Sequence, residues 1–273
     1  MLLLSCLAKI TMSADLSPYL PAIREIAALL NSARRVLFIT GAGISADSGL
    51  PTYRGLGGLY ENDLTEEGMP IEEALSGEML RRRPVIPWKY LAAIERNCRS
   101  VGPNPAHRII AAWEKELPYV MTLTQNIDGL HCAAGSENVI EIHGNVHRLR
   151  CEYCGFRETV DSLAGRELPP ACPQCGKFIR PEVVLFGEML PEDELNRYYD
   201  ALAKGFDLVF SIGTTSVFPY IAQPVIQAIR QDVPSVEVNP GRTHLSEYVA
   251  YQLPLGAAAA LTAIAEARHA KNQ

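Results

Sequence analysis

Four cysteines stand in two tight pairs, Cys151 with Cys154 and Cys172 with Cys175. The spacing C-x2-C-x17-C-x2-C is that of a zinc ribbon. Each pair turns sharply enough to set two thiolates on one face, and four thiolates complete a tetrahedron with no open position. The implied metal is therefore structural, one zinc per chain. Its binding is worth roughly 10–16 kcal/mol in small peptides, which folds an insertion too small to hold itself together. A redox pair is the other chemistry open to C-x2-C, but two matched pairs at metal spacing favour the ion. His147 lies nearby, and four sulfurs leave it no vacancy.

Gly41, Gly43 and Ala46 follow the apolar run 36–40 at the spacing G-x-G-x-x-A, the accepted variant of a dinucleotide fingerprint. One glycine permits the tight turn, the second lets backbone N–H groups approach a pyrophosphate, and a small third residue lets helix pack on strand. The helix N-terminus beyond adds its partial positive charge. An ordinary strand-turn-helix would read the same way. The acidic residue expected about twenty positions on is not visible. Asp63 is near that distance, but glycine-rich loop at 55–60 precedes it. The site is thus built differently from that of a hydride-transfer enzyme.

Such groups need rigid strands to deliver them. The apolar run 120–124 ends at Gln125, Asn126 and Asp128, and 139–142 ends at His143 and Gly144. A strand over 180–186 reaches Gly187, 207–212 reaches Gly213, Thr214 and Ser216, and 235–238 reaches Asn239. Open α/β sheets bind ligands at the carboxyl ends of their strands, so these polar residues are candidates for chemistry. The hydroxyl-rich turn at 213–216 suits phosphate or ribose, or a helix cap. Helical spacing marks 21–31, 65–83, 88–98, a helix opening at Pro105, 219–230 and an alanine-rich tail over 256–271, with Pro84 and Pro87 as stops. His107 reads as a structural hydrogen-bonding residue. The expected fold is α/β, a Rossmann-like doubly wound parallel sheet with a smaller domain made of the zinc ribbon and a helical insertion. Residues 21–60, 103–147 and 180–273 form the first; residues 61–102 and 148–179 form the second.

Composition bounds the rest. The 273 residues are 48% hydrophobic, enough for one large domain or a core with an insertion. A formal net charge of −6 argues against a nucleic-acid groove and is compatible with lysine-rich polypeptide partners. Cysteine use points to a reducing compartment, hence a cytoplasmic protein, with Cys6, Cys98 and Cys132 as free thiols. No apolar run approaches the ~20 residues of a membrane span. Residues 1–8 are apolar but short and lack a basic start, so 1–20 reads as a ragged N-terminus with Met12 as the true start, in preference to a lipoprotein site at Cys6.

The constellation resembles the sirtuins, the NAD-dependent protein deacylases, in their zinc-ribbon bacterial form. The matching stretches are 41–45, 49–54, 124–131, His143 with Gly144, the two cysteine pairs, 184–188, 213–216 and Val238 with Asn239, in family order. The resemblance implies that Gly41, Ala42, Gly43, Tyr53 and Arg54 line the cofactor loop. Gln125, Asn126, Ile127 and Asp128 would hold the ribose and nicotinamide. Gly213, Thr214, Ser216 and Asn239 would contact the phosphates and adenosine ribose, with Ala258 near the adenine. His143 would be the general base, with Asn126 and Asp128 beside it in catalysis. Val184, Phe186 and Gly187 would lie beside an acyl-lysine peptide bound as an extended strand between the two domains.

The chemistry so implied cleaves the nicotinamide–ribose bond, captures the acyl oxygen at C1′ and needs a base to deprotonate the ribose. A histidine with an ordinary pKa of about 6.5 suits that task. The expected products are nicotinamide, O-acetyl-ADP-ribose and free lysine. Thr52 and Tyr53 stand where many members have Asp-Phe, and the tyrosine keeps the aromatic ring. Members that prefer succinyl or malonyl groups carry Tyr-x-x-Arg where this chain has Leu91 and Ile94, neither of which binds a carboxylate. Neutral acyl groups are expected, acetyl first. The competing readings are a protein mono-ADP-ribosyltransferase and a non-catalytic NAD-sensing zinc-ribbon interaction module.

Overall fold

A computed structural model describes residues 15–52 and 64–270. Nine strands run through them: β1 (Arg35–Thr40), β2 (Tyr119–Thr124), β3 (Val139–Glu141), β4 (Gly144–Arg150), β5 (Arg157–Thr159), β6 (Arg180–Val183), β7 (Leu208–Ile212), β8 (Ser235–Val238) and β9 (Tyr251–Leu253). The helices are α1 (Leu20–Ser32), α2 (Ala42–Ala46), α3 (Ile71–Ala74), α4 (Gly77–Arg82), α5 (Val85–Arg99), α6 (Pro105–Glu116), α7 (Leu130–Ala133), α8 (Glu192–Ala203), α9 (Pro219–Arg230) and α10 (Ala257–Ala270).

Six strands make one parallel sheet in the order β3-β2-β1-β7-β8-β9. Counting only those six, this is the 3-2-1-4-5-6 order of a doubly wound fold, and its direction reverses between β1 and β7. Every side chain of β1 after Arg35 is buried, because a parallel sheet is covered on both faces. Val36 and Phe38 enter the core under α1, α6 and α10, while Leu37 and Ile39 enter the opposite core under α8 and α9. This is the two-residue period of a strand read out on two apolar layers. Phe38 stacks between Trp113 and Phe210, with centroids at 5.8 and 4.8 Å.

The remaining strands form an antiparallel sheet, β5-β4-β6, continuous with the cysteine pairs. Its core joins Leu75, Leu80, Trp88 and Leu91 of the helical segment to Val146, Leu149, Val160 and Ile179 of the ribbon. The indole N–H of buried Trp88 donates to the Ile179 carbonyl at 3.1 Å.

Three expectations are corrected. Residues 65–83 are not one helix: α3 and α4 are separated at Ser76, whose hydroxyl accepts from Met79 N–H at 3.0 Å and caps α4. Pro87 does not stop a helix but lies in the first turn of α5, where a missing N–H costs nothing. The strand over 180–186 ends at Val183 and pairs with β4, outside the parallel sheet. β9 and α8 stand where no element is expected from the sequence, while α9 matches its expected limits. No helix among the described residues is long and apolar enough to cross a membrane.

Candidate active site

The carboxyl ends of β1, β2, β7 and β8 meet at the reversal point of the sheet. After β1 the chain turns through Gly41 into α2, and after β7 it turns through Gly213 in the left-handed region, φ +59°. These two turns touch backbone to backbone. Gly43 N–H donates to Gly213 C=O at 2.8 Å, and a Cβ on Gly43 would lie 2.5 Å from Gly213 Cα. The second glycine of the fingerprint therefore serves a close approach of two loops, and its N–H is taken by protein rather than turned outward. With five residues, α2 also supplies only a small part of a full helix dipole.

The residues after β2 lock onto these turns. Gln125 Nε2 donates to Thr214 Oγ1 at 2.8 Å, and Asn126 Nδ2 donates to Gly41 O and Ser45 Oγ, both at 3.1 Å. Ser45 Oγ donates to Asp128 Oδ2 at 2.7 Å, and Leu130 N–H to Asp128 Oδ1 at 2.9 Å. Burial raises the Asp128 carboxyl above its ordinary value, against the pull of those two donors. Asn239 Nδ2 donates to Thr214 O at 3.0 Å, and Ala258 N–H to Asp47 Oδ2 at 2.8 Å. Ser216 is buried at φ +54°, with its hydroxyl 3.4 Å from that of Ser211. Tyr53, Arg54 and Asp63 lie outside the described residues, as do Cys6 and Met12.

His143 sits between β3 and β4. Its Nδ1 is 2.9 Å from the Gln125 carbonyl, which only accepts, so Nδ1 carries the proton and Nε2 is the basic atom. The Tyr220 hydroxyl stands 2.6 Å from Nε2. Burial lowers the pKa of His143, partly opposed by the Gln125 carbonyl. The backbone carbonyl of His143 in turn accepts Val184 N–H at 2.8 Å. Phe186 pairs through N–H and C=O with Leu75 and Gly77, both at 3.0 Å, so the segment 184–187 runs beside the start of α4. A cleft lined by Leu50, Pro51, Ile94, Cys98 and Ile127 opens beside Asp128. Ile94 thus faces the cleft, while Leu91 is buried in the core.

Several supporting residues were missed. Asn104 holds the turn after β1 by donating to Ile44 O at 2.7 Å and Ser48 Oγ at 3.0 Å, while its Oδ1 accepts Ala106 N–H and caps α6. The Asn-Pro dipeptide signals the cap; nothing local signals the second contact. His147 donates from Nε2 to Asp128 O at 3.2 Å and accepts at Nδ1 from Arg99 at 3.0 Å. Arg99 pairs with buried Glu95. His107 completes the α6 capping box, the structural role expected of it.

The four ribbon sulfurs lie within 4.8 Å of one another, with Cys151–Cys175 at 3.5 Å and Cys154–Cys172 at 3.6 Å. A ZnS4 tetrahedron with bonds of about 2.3 Å has edges of about 3.8 Å. The donor set fits zinc in kind, number and spacing.

The Sir2 family model matches residues 41–219. The chain belongs to the Sir2 family. This Sir2-family chain is 53% identical over 231 residues to NAD-dependent protein deacylase 2 of Pseudomonas aeruginosa, covering 83% of this chain and 90% of that one. Among solved structures it resembles a Sir2 homolog–NAD complex, with a TM-score of 0.80 and 31% identity over 90% of this chain and 94% of the other. It also resembles a Sir2–p53 peptide–NAD+ complex, with a TM-score of 0.77 and 28% identity over 92% and 99%.

Proposed function

We propose that this chain is an NAD-dependent protein deacylase that removes neutral acyl groups, acetyl first, from lysine side chains. The family membership supports NAD use and the deacylase class. One observation supports the assignment of roles above the others. His143 is bonded through its ring to Gln125, which holds the Thr214 turn, and through its backbone to Val184. A single base, its Nε2 met only by the Tyr220 hydroxyl among the described residues, thus stands between the strand ends suited to a nucleotide and the segment suited to a peptide.

In this reading NAD supplies, when bound, the ribose carbon that takes up the acyl oxygen as nicotinamide leaves. His143 Nε2 accepts the proton of a ribose hydroxyl. Asn126 and Asp128, fixed by Ser45 and the Gly41 carbonyl, orient the ribose and nicotinamide, with Gln125 and Ile127 beside them. Gly41, Ala42, Gly43, Tyr53, Arg54, Gly213, Thr214, Ser216, Asn239 and Ala258 complete the cofactor site. Val184, Phe186 and Gly187 flank the acyl-lysine peptide, which lies between the large domain and the ribbon-plus-helices domain. Leu50, Ile94 and Ile127 give the cleft an apolar wall facing the polar Ser45, Asn97, Asn126 and Asp128, and a wall without a cation among the described residues favours uncharged acyl groups. Cys151, Cys154, Cys172 and Cys175 hold one structural zinc, a use of thiolates suited to the reducing cytoplasm.

Mass spectrometry of the products from NAD and an acetyl-lysine peptide tests the proposal. The expected result is a peptide lighter by one acetyl group, together with O-acetyl-ADP-ribose. Protein heavier by one ADP-ribose, with the peptide untouched, overturns it in favour of a mono-ADP-ribosyltransferase. Neither product, with succinyl and longer acyl peptides also untouched, leaves an NAD-binding interaction module.

A further inference from the structure

Arg180 is a buried cation at the start of β6, only 2% exposed. Its guanidinium has five N–H donors and no acceptor, and all five are engaged. Nε donates to Pro181 O at 3.4 Å and one Nη2 proton to Val183 O at 2.8 Å. A fork runs to Glu188, from Nη1 to Oε1 at 2.6 Å and from Nη2 to Oε2 at 2.8 Å. The remaining Nη1 proton reaches Glu152 Oε1 at 3.1 Å. The two carboxylates belong to different places. Glu152 lies in the knuckle between Cys151 and Cys154, and Glu188 closes the turn that carries Phe186 and Gly187.

Glu188 is wedged where it stands. Its Oε2 also accepts Leu185 N–H at 2.9 Å, and a Cβ on Gly77 would come within 2.6 Å of its Cγ. Burial pushes its carboxyl up, but the Arg180 fork, the Leu185 N–H and the charge of Arg150 together outweigh this and hold it below the usual range. An arginine cannot shed its charge when a partner leaves. A knuckle that opened would withdraw Glu152 from Arg180 and leave the fork to Glu188 as that guanidinium's one carboxylate contact among those described.

We propose that Arg180 is a positioning residue that couples the four-cysteine knuckle, through Glu152 and Glu188, to the turn at residues 184–188, so that metal loss weakens peptide binding before it disturbs the nucleotide site. This rests on the reading of residues 184–187 as the peptide's neighbours.

Amide hydrogen exchange of the full chain, followed at residues 185–188, tests the coupling without peptide. Chelation of the wild type and the zinc-loaded variants Glu152→Gln and Arg180→Lys should each speed exchange there by about tenfold. Glu152 is half-exposed, so its variant folds even if Arg180→Lys does not. Both variants should keep one zinc per chain, raise the KM for an acetyl-lysine peptide and leave the KM for NAD within about twofold. Unchanged exchange at 185–188 in zinc-loaded Glu152→Gln overturns the coupling. Faster exchange with an unchanged peptide KM instead overturns the peptide assignment, a failure that Phe186→Ala with unaltered peptide KM would show independently.

Discussion

The hydroxyl of Ser45 donates to the Asp128 carboxylate across 2.7 Å, joining the helix after the first strand to the loop after the second. The bond makes an acid tolerable in a place that burial makes hostile to charge. Because burial raises its folded pKa, charged Asp128 lowers stability at neutral pH, and that cost fades as pH falls through the raised value.

Asp128→Asn should therefore separate stability from activity. An asparagine keeps an acceptor for Leu130 N–H and gains a donor for Ser45 Oγ. Its melting temperature should equal or exceed that of the wild type at about pH 8, with the gap closing toward pH 5, while turnover falls roughly 100-fold or more. A lower melting temperature than wild type at pH 8 would sink the idea.

The Tyr220 hydroxyl favours the neutral ring of His143 by donating to Nε2. Tyr220→Phe should raise the proton affinity of that nitrogen, which burial lowers, and so move the acid limb of the rate–pH profile upward. Rates near pH 8 should stay within about threefold, whereas His143→Ala should lose roughly 10²–10⁴-fold at every pH. An unmoved acid limb in Tyr220→Phe argues that the contact is broken in the working enzyme.

Acid should unfold the protein through its buried histidines. Burial lowers His107 to about 4, His131 well below its ordinary value, and His143 in the same direction. Each is depressed, so its stability contribution is full above about pH 6.5 and is lost as pH falls toward the folded value, by up to about 1.4 kcal/mol per pH unit per ring. Denaturant melts between about pH 7 and pH 5 should show this slope, and His107→Gln should flatten it by about one ring's share. An unchanged slope in His107→Gln would remove that ring from the account.

Gly213 tests the contact of the two turns. Gly213→Ala places a Cβ 2.5 Å from Gly43 Cα at a positive φ, which should cost about 3 kcal/mol or more and weaken NAD binding. Gly205 also has positive φ, +73°, but open space around its Cβ, so Gly205→Ala should cost only about 1–2 kcal/mol. Equal losses in the two variants would mean that strain alone, and not the approach of the turns, explains the glycine.

Much of this was legible in the chain because strands buried on both faces read as unbroken apolar runs and end in polar residues. Residues 36–40, 120–124 and 207–212 are such runs, and the cysteine spacing announced the ribbon. The failures share a cause: a contact made across the fold leaves no local pattern. The Gly43 N–H goes to a loop some 170 residues away, and Asn104, Ser45 and Tyr220 took their roles from partners on other elements. The strand β9 is only three residues long, too short to show a period, whereas α8 does carry a helical pattern and an acidic first turn after Pro191, signals present in the chain that were passed over.

The central strand also dictates when the crevice can come into being. Val36 stands between Val120 and Leu208, both parallel to it. A chain emerging from the ribosome presents β1 early, yet one of its neighbours is still to be made until the last quarter of the polypeptide. Until then the apolar edge of β1 has no partner on that side, and no nucleotide can nucleate the fold. At about 5–20 residues per second, that exposure lasts on the order of ten seconds or more. The nucleotide crevice is thus among the last features to form, and a nascent chain of up to about three quarters of the full length exposes an unpaired apolar strand edge, the kind of surface that invites aggregation.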